Sequence, residues 1–335
     1  MVVPVMQAPI GPATTPALVA AVCAAGGLGT LGASWTLASR LRAQIYELQR
    51  LTDRPFCVNL VLAFDQRERL EVLVEERVPC VSFSWGVDSR AIAYAKSAAL
   101  DVLVQVGEPE AGIRAVAAGA DVLIAQGTEA GGHVEATVPA TDLVRALRRH
   151  VATPIIAAGG IAEAAAVVAA LEAGASGVAA GTSYLACPQA DVHPAYLATV
   201  LRATASDSVL TGLFDIGWPN APHRVLRNDT LDGWEAAGCP APGRRPREGE
   251  AIASRAGRPV VRYSDEQPTR DTDGRIESMA LYAGTGVGEL TRAEDAAAVT
   301  ERLLAAVSST RCPGRSAPPV RGGVGRSQSG PARAC

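Results

Sequence analysis

The sequence predicts an α/β protein, a (β/α)8 TIM barrel with a smaller C-terminal cap region. Two observations carry this. Between residues 2 and 205, eight short apolar runs alternate with Ala-rich segments of helical spacing. Two of the units are also near copies, "EAGIRAVAAGADVLIAQG" and "EAAAVVAALEAGASGVAAG", each an amphipathic helix, a glycine and a strand of small or β-branched residues. Strands that alternate with helices pair in parallel, because each connection must cross back over the sheet. An open doubly wound sheet satisfies the same alternation, and the internal similarity favours the closed barrel.

In chain order, Val2 to Gln7 is an apolar strand and Pro16 to Ala25 its Ala-rich helix. Gly29 to Gly32 is followed by a helix over Leu37 to Leu51, and Phe56 to Leu60 by Gln66 to Glu76. Cys80 to Trp85 precedes Ser89 to Ala98, and Val102 to Val106 precedes Pro109 to Ala118, where a glycine supplies the left-handed residue that closes a helix. Val122 to Gln126 leads through "GTEAGGH" to Thr141 to His150. Pro154 to Ala158 with Ala162 to Ala173, then Gly177 to Ala180 with Pro194 to Ala203, complete the eight units.

After about Asp207 the rhythm breaks. Residues 207–275 mix Pro, Gly, Arg and acids and predict an irregular or helical cap. Leu290 to Val307 returns to helical spacing, so the barrel is expected over 1–206 plus part of 276–307. Residues 308–335 carry Pro, Gly, Ser and Arg without acids or periodicity and predict a disordered basic tail.

Composition narrows the function. With 335 residues, 48% hydrophobic, the chain has enough apolar side chain for a substantial core. A formal net charge of −3 gives no positive field for neutralising phosphates along a nucleic acid. The N-terminus has no charge before Arg40, and Pro4, Pro9, Pro12 and Pro16 interrupt it too early for a signal peptide or a membrane span. Seven scattered cysteines without a CxxC pair suit a reducing cytoplasm better than a disulfide framework or a zinc site.

In such a barrel, functional groups sit at the C-terminal ends of the strands, and the loops after strands seven and eight commonly bind phosphate. Those ends read "AAGGIAEA" and "AAGTSYL". Gly159, Gly160 and Gly181 would let backbone N–H groups approach an anion, and Thr182 could add a hydroxyl donor. A tight turn explains any one of these glycines, but two such loops on the last two strands favour phosphate. The other strand ends present Gln7, Ala8, Asn59, Ser84, Trp85 and Gln105. Such neutral groups argue against a metal centre and suit a flat heterocycle. His133 lies six residues beyond Gly127, in the loop leaving strand six, with Gly131 and Gly132 before it. The other three histidines sit at a helix end or beside prolines. A neutral imidazole at the mouth could take a proton from a carbon acid or hydrogen-bond a substrate oxygen. On the residues alone, a loop histidine without duty stays an open reading.

The ordered set "MQAPI", "AAGGLGTLG", "PFCVNL", "VSFSWG", "VQVG", "GTEAGGH", "AAGGIA" and "AAGTSYL", with the later "GWPNAPHRVLRN" and "YAGTGVGEL", resembles the nitronate monooxygenase family, formerly called 2-nitropropane dioxygenases. The resemblance covers about residues 2 to 305. It implies an FMN-dependent enzyme that oxidises alkyl nitronates, and in some members nitroalkanes, with O2 to a carbonyl compound and nitrite. The FMN phosphate would rest on Gly159, Gly160, Gly181 and Thr182, and the ring near Gln7, Ala8, Asn59 and Gln105. Gly131 and Gly132 would leave room between ring and histidine. His133 matches the family's catalytic histidine, the base for the α-proton where a neutral nitroalkane is accepted.

Three departures stand out: Thr285 in place of a frequent Gln, Ser183 and Tyr184 in place of Arg and Phe, and Gly11 and Pro12 where the branches differ. Loss of the arginine would weaken the hold on phosphate. The same scaffold and histidine occur in NAD(P)H-dependent flavin reductases of quinones and enoyl thioesters, which is the alternative reading. A non-catalytic flavin- or phosphate-binding protein is the second. The partners implied are a small nitronate and O2, with NAD(P)H under the alternative and a homodimer left open; no metal, nucleic acid or membrane is expected.

Overall fold

In a computed structural model that describes residues 4–311, eight parallel strands form one sheet. They are β1 (Val5–Gln7), β2 (Thr30–Gly32), β3 (Cys57–Val61), β4 (Cys80–Ser84), β5 (Asp101–Val106), β6 (Val122–Gln126), then, after the two-residue β7 (Gly132–His133), β8 (Ile155–Ala158) and β9 (Gly177–Ala180). The order β1-β9-β8-β6-β5-β4-β3-β2 runs round a ring. A bridge between Met6 and Leu28 joins its ends, with Gln7 N donating to Leu28 O at 3.0 Å. The chain forms a (β/α)8 barrel, as the alternation and the internal repeat predict.

The outer layer comprises α1 (Pro16–Ala24), α2 (Ala38–Leu51), α3 (Arg67–Glu75), α4 (Ser89–Ser97), α5 (Pro109–Ala118), α6 (Ala140–Arg148) and α7 (Ala164–Glu172), and then α8 (Thr182–Leu185) and α9 (Pro194–Val200). Local chemistry sets several ends. Thr15 caps α1 by accepting from Leu18 N at 3.0 Å, with Pro16 at the first helical position. Asp88 caps α4, and Gly119, with φ 107°, closes α5 in the left-handed conformation. The core between helices and strands is mostly aliphatic, and the barrel interior holds a second cluster that mixes Met6, Leu103, Ile124 and Ile156 with the smaller Cys57, Cys80, Ala158 and Ala179.

The region 207–275 differs from the expectation of helix or irregular chain. It carries β10 (Ser208–Thr211), β11 (His223–Leu226), α10 (Asp229–Ala236), β12 (Ala251–Arg255), β13 (Arg258–Val261) and β14 (Thr272–Gly274), in two small antiparallel sheets. Buried arginines replace apolar periodicity here. Arg245 pairs with Asp215 at 2.6 Å and Glu248 at 2.5 Å, and Arg262 with Glu250 at 3.0 Å. Strands of three to five residues are too short to show a period-2 pattern. The last helix, α11 (Ala296–Arg311), starts later than Leu290 and continues through Ser308, into the segment expected to be tail. The rest of that tail, and the start of the first strand at Val2, lie outside the described residues.

Candidate active site

The C-terminal ends of the barrel strands and the cap enclose a cavity of about 780 Å³. Ala8, Asn59, Gln105, Gly131, Gly132, His133, Gly159, Gly160, Gly181 and Thr182 all line it; Gln7 does not. The Gln7 side chain is fully buried, and its Oε1 accepts from Thr30 N at 2.9 Å while its amide N–H donates to Ala8 O. The bond to Thr30 ties β1 to β2 where the ladder is thinnest, so the residue's polarity serves barrel closure.

Neutral polar groups ring the inner wall. Asn59 Nδ2 donates to Ser82 O at 3.2 Å and lies 3.1 and 3.3 Å from the Ser82 and Ser84 hydroxyls, which fixes the amide plane. Gln126, at the end of β6, donates through Nε2 to His133 O at 3.2 Å, while its Oε1 is buried without a partner. The Nε2 atoms of His133 and Gln267 are also buried and unpaired, and all three residues line the cavity. An unsatisfied buried polar atom costs about 1–3 kcal/mol. With Gln44 Oε1, also buried, unpaired and on the lining, four such atoms on one cavity fit a polar ligand that supplies the missing partners.

The glycines divide by what a side chain would meet. Gly159 and Gly160 have φ of 121° and 68°, so their turns exclude other residues. At Gly131 a Cβ would lie 2.5 Å from Gly284 N and 2.7 Å from Ala283 C, so this glycine permits two loops to touch. Gly131→Ala is therefore expected to lower the melting temperature by roughly 3–10 °C in a thermal denaturation scan, because backbone cannot yield as a flexible side chain does. At Gly132 a Cβ would meet nothing within 4 Å, and at Gly181 only Ile10 Cγ2 and Ala8 Cβ at 3.6 and 3.7 Å. Thr182 Oγ1 accepts from Gly284 N at 3.0 Å, which ties the "AGTGVG" loop to this end while leaving its O–H to donate. Ser183 and Tyr184 turn away from the cavity: Ser183 lies 3.4 Å from Ile161 O, and the Tyr184 hydroxyl bonds Thr300 on α11 at 2.9 Å.

His133 is held in place by structure that its own neighbourhood does not announce. As part of β7 it pairs antiparallel with β11, His133 opposite His223, and Arg224 Nε donates to Thr128 O at 2.8 Å to lock the loop. Its ring stacks on Trp218 at 4.1 Å and 25°, with Trp85 at 6.1 Å and Tyr282 at 5.5 Å around it. Trp85 reaches inward because its backbone takes φ 58°, left-handed and uncommon for so large a residue. Burial in this aromatic chamber, and secondarily the neighbouring His223, push the His133 imidazole down to about 3. It is therefore neutral across the physiological range. His223 is occupied otherwise: Nε2 accepts from Phe214 N at 3.1 Å and Nδ1 lies 2.8 Å from Ala221 O, which fits a neutral imidazole with its proton on Nδ1.

A sequence profile of the nitronate monooxygenase family matches residues 1–69 and 63–306. The chain belongs to the nitronate monooxygenase family. It is an oxidoreductase of that family of flavoenzymes. The nitronate monooxygenase of Pseudomonas aeruginosa is 35% identical over 62% of this chain and 73% of its own length. A second relative, the (3aS,4S,5R,7aS)-5-hydroxy-7a-methyl-1-oxo-octahydro-1H-indene-4-carboxyl-CoA dehydrogenase of Rhodococcus jostii, is 34% identical over 70% of this chain and 65% of its own length. Among solved structures, the nitroalkane oxidase of Streptomyces ansochromogenes superposes with a TM-score of 0.75 at 29% identity, covering 92% of this chain and 96% of that one.

Residues the sequence reading passed over complete the site: Gln126, Trp218, Asp265, Gln267 and Tyr282. Gln126 obeys the strand-end rule that singled out Asn59 and Gln105, so its signal was present. The others come from the cap and from the segment after it, and only the fold brings them to the barrel mouth. Among the described residues no group of three or more His, Cys, Asp or Glu is placed to hold a metal ion. No helix among them is long and apolar enough to cross a membrane.

Proposed function

We propose that this protein binds FMN and oxidises small alkyl nitronates with O2 to a carbonyl compound and nitrite. The observation that carries the reading is His133, buried and unpaired at Nε2 within an aromatic chamber that opens on the same cavity as the glycine loops after β8 and β9. Gly159, Gly160, Gly181 and Thr182 would hold the phosphate, and Ala8, Asn59, Gln105 and Gln126 would face the ring, with Gly131 and Gly132 leaving space above it. FMN, when bound, supplies the electron acceptor for the nitronate and the site of O2 reduction.

The protein's own part is binding, orientation and proton handling. Trp218, Trp85 and Tyr282 exclude water from one side of the chamber and fix the imidazole plane. A neutral imidazole donates an N–H to a nitronate oxygen or accepts the α-proton of a neutral nitroalkane, according to its tautomer. Residues 207–275 act in this reading as a cap on a barrel built from 1–206 and part of 276–307. The reading is of a cytoplasmic enzyme working without metal, nucleic acid or membrane, with homodimerisation compatible.

A second reading, NAD(P)H-dependent reduction of quinones or enoyl thioesters, is favoured by one observation: Arg40, Arg255 and Arg258 stand on the cavity lining and would meet the phosphates of a second nucleotide. Anaerobic absorbance spectra of the flavin-loaded protein separate the two. Ethyl nitronate added alone is expected to bleach the oxidised flavin bands. Rapid bleaching by NADH or NADPH with none by nitronate would place the chain among the reductases, and a reconstituted protein that retains no flavin would sink both.

A further inference from the structure

Asp265 is a carboxylate on the wall of the cavity that holds His133, without an ion-pair partner among the described residues. Its main-chain N donates to Ile216 O at 3.0 Å and its main-chain O accepts from the Tyr282 hydroxyl at 2.9 Å, so the residue is pinned from two sides. The carboxylate lies against the backbone of Gly217, where a Cβ would come within 2.1 Å of Oδ1; with φ 119°, Gly217 takes a conformation that favours glycine. The next residue, Trp218, stacks on His133 at 4.1 Å. The carboxylate's contact and the histidine's stacking partner are thus consecutive residues.

The charged and titratable groups around it do not neutralise it. Glu266 follows in the chain and adds like charge. The Tyr282 phenol is buried and holds its proton, and His133 is neutral. Arg255 pairs with Asp271 at 3.2 Å, while Arg258 and Arg40 are exposed on the rim, with Asp191 the remaining acid on the lining. Among the described residues no arginine or lysine forms an ion pair with Asp265.

We propose that Asp265 is a charge selector: protonated, it admits an anionic substrate to the His133 chamber, and ionised, it repels that anion and leaves the cavity to neutral substrates. The identity of the anion as a nitronate rests on the function proposed above; the charge selection does not. Burial, followed by Glu266, pushes the Asp265 carboxyl up to about 6, so the change falls in the working range. A sphere of 780 Å³ is about 11 Å across, and two unit charges that far apart at an effective dielectric of about 20 repel by enough for about a tenfold change in affinity.

The test uses the flavin-loaded enzyme and Asp265→Asn, with propionate, the carboxylate counterpart of ethyl nitronate, as the probe. Its binding is followed by tryptophan fluorescence from pH 5.5 to 8. In the wild type, Kd for propionate is expected to rise about tenfold as pH passes through 6, and in Asp265→Asn to stay flat at the low-pH value. With ethyl nitronate, the same rise is expected in KM rather than kcat. Thermal melts give a separate check on the carboxyl. A folded-state value above the unfolded one means that the protonated form stabilises the fold and that this stability is lost as pH rises through about 6. The melting temperature of Asp265→Asn should therefore rise relative to wild type between pH 5 and pH 8. A propionate Kd with the same pH dependence in both proteins would overturn the proposal, whether or not the enzyme turns over nitronates. Flat KM with a pH-dependent propionate Kd would instead count against the nitronate reading alone.

Discussion

Gly181→Glu is expected to fold, to melt close to the wild type, and to leave gel filtration without flavin. The conformation at this position is ordinary, with φ −115°, and a Cβ would make only van der Waals contacts with Ile10 and Ala8. A side chain therefore fits without moving the barrel. Ala8 and Ile10 themselves line the cavity, so the longer Glu side chain enters the space beside Thr182 and the β8 loop, where the phosphate is proposed to rest. At an effective dielectric of about 20, a carboxylate about 4 Å from one phosphate charge costs about 4 kcal/mol, roughly a thousandfold in affinity. The measurement is flavin absorbance per protein after desalting, and FMN affinity by fluorescence quenching. Equal flavin retention by the variant would refute the phosphate placement. Gly159 and Gly160 offer no comparable test, because their positive φ values make any substitution a backbone perturbation first. Gly181→Ala is the matching control, since it adds bulk without charge and should keep most of the flavin.

What could be read in advance follows from how local each cause is. The barrel strands were legible because a parallel βα unit writes its pattern within a single stretch of about 25 residues: apolar run, small-residue turn, Ala-rich helix. Asn59 and Gln105 were legible by the same logic, since a polar residue ending a buried strand has few places to face but the mouth. Gln7 met that rule and does not line the cavity, because β1 and β2 share only a bridge and its side chain completes their pairing. The cap was illegible for the opposite reason. Its strands run three to five residues, too short to show a period, its buried Arg245 and Arg262 carry none, and β7 exists only because β11 comes to pair with it. The chamber round His133 is assembled from Trp85, Trp218 and Tyr282, far apart in sequence, so its burial could not be inferred from "GTEAGGH". A sequence places the histidine; only the fold explains why it is neutral.

That environment gives the other large effect expected here. His133→Ala should reduce kcat/KM for neutral nitroethane by on the order of 10²–10⁴-fold, the range contributed by a positioned proton acceptor. Preformed ethyl nitronate, which has already lost the proton, should be oxidised within about tenfold of wild type on the same basis. An imidazole pushed down to about 3 looks a poor base, but that value describes a cavity without substrate, where a cation would stand alone in an apolar chamber. Proton transfer from a nitroalkane creates an imidazolium and a nitronate together, and each offsets the other's desolvation. The sign of the pH dependence follows. Because the free histidine is neutral above about pH 4, activity with nitroethane should show no acidic limb from His133 between pH 5 and 8. Any limb near 6 belongs to Asp265 and should be absent from Asp265→Asn, in which His133 is unchanged. Equal losses with nitroethane and nitronate would mean that His133 works by holding oxygen atoms and supporting Trp218 rather than by accepting the proton. His133→Gln separates these roles further: an amide can donate to a nitronate oxygen but cannot serve as a base, so it should restore nitronate oxidation and leave nitroethane oxidation impaired.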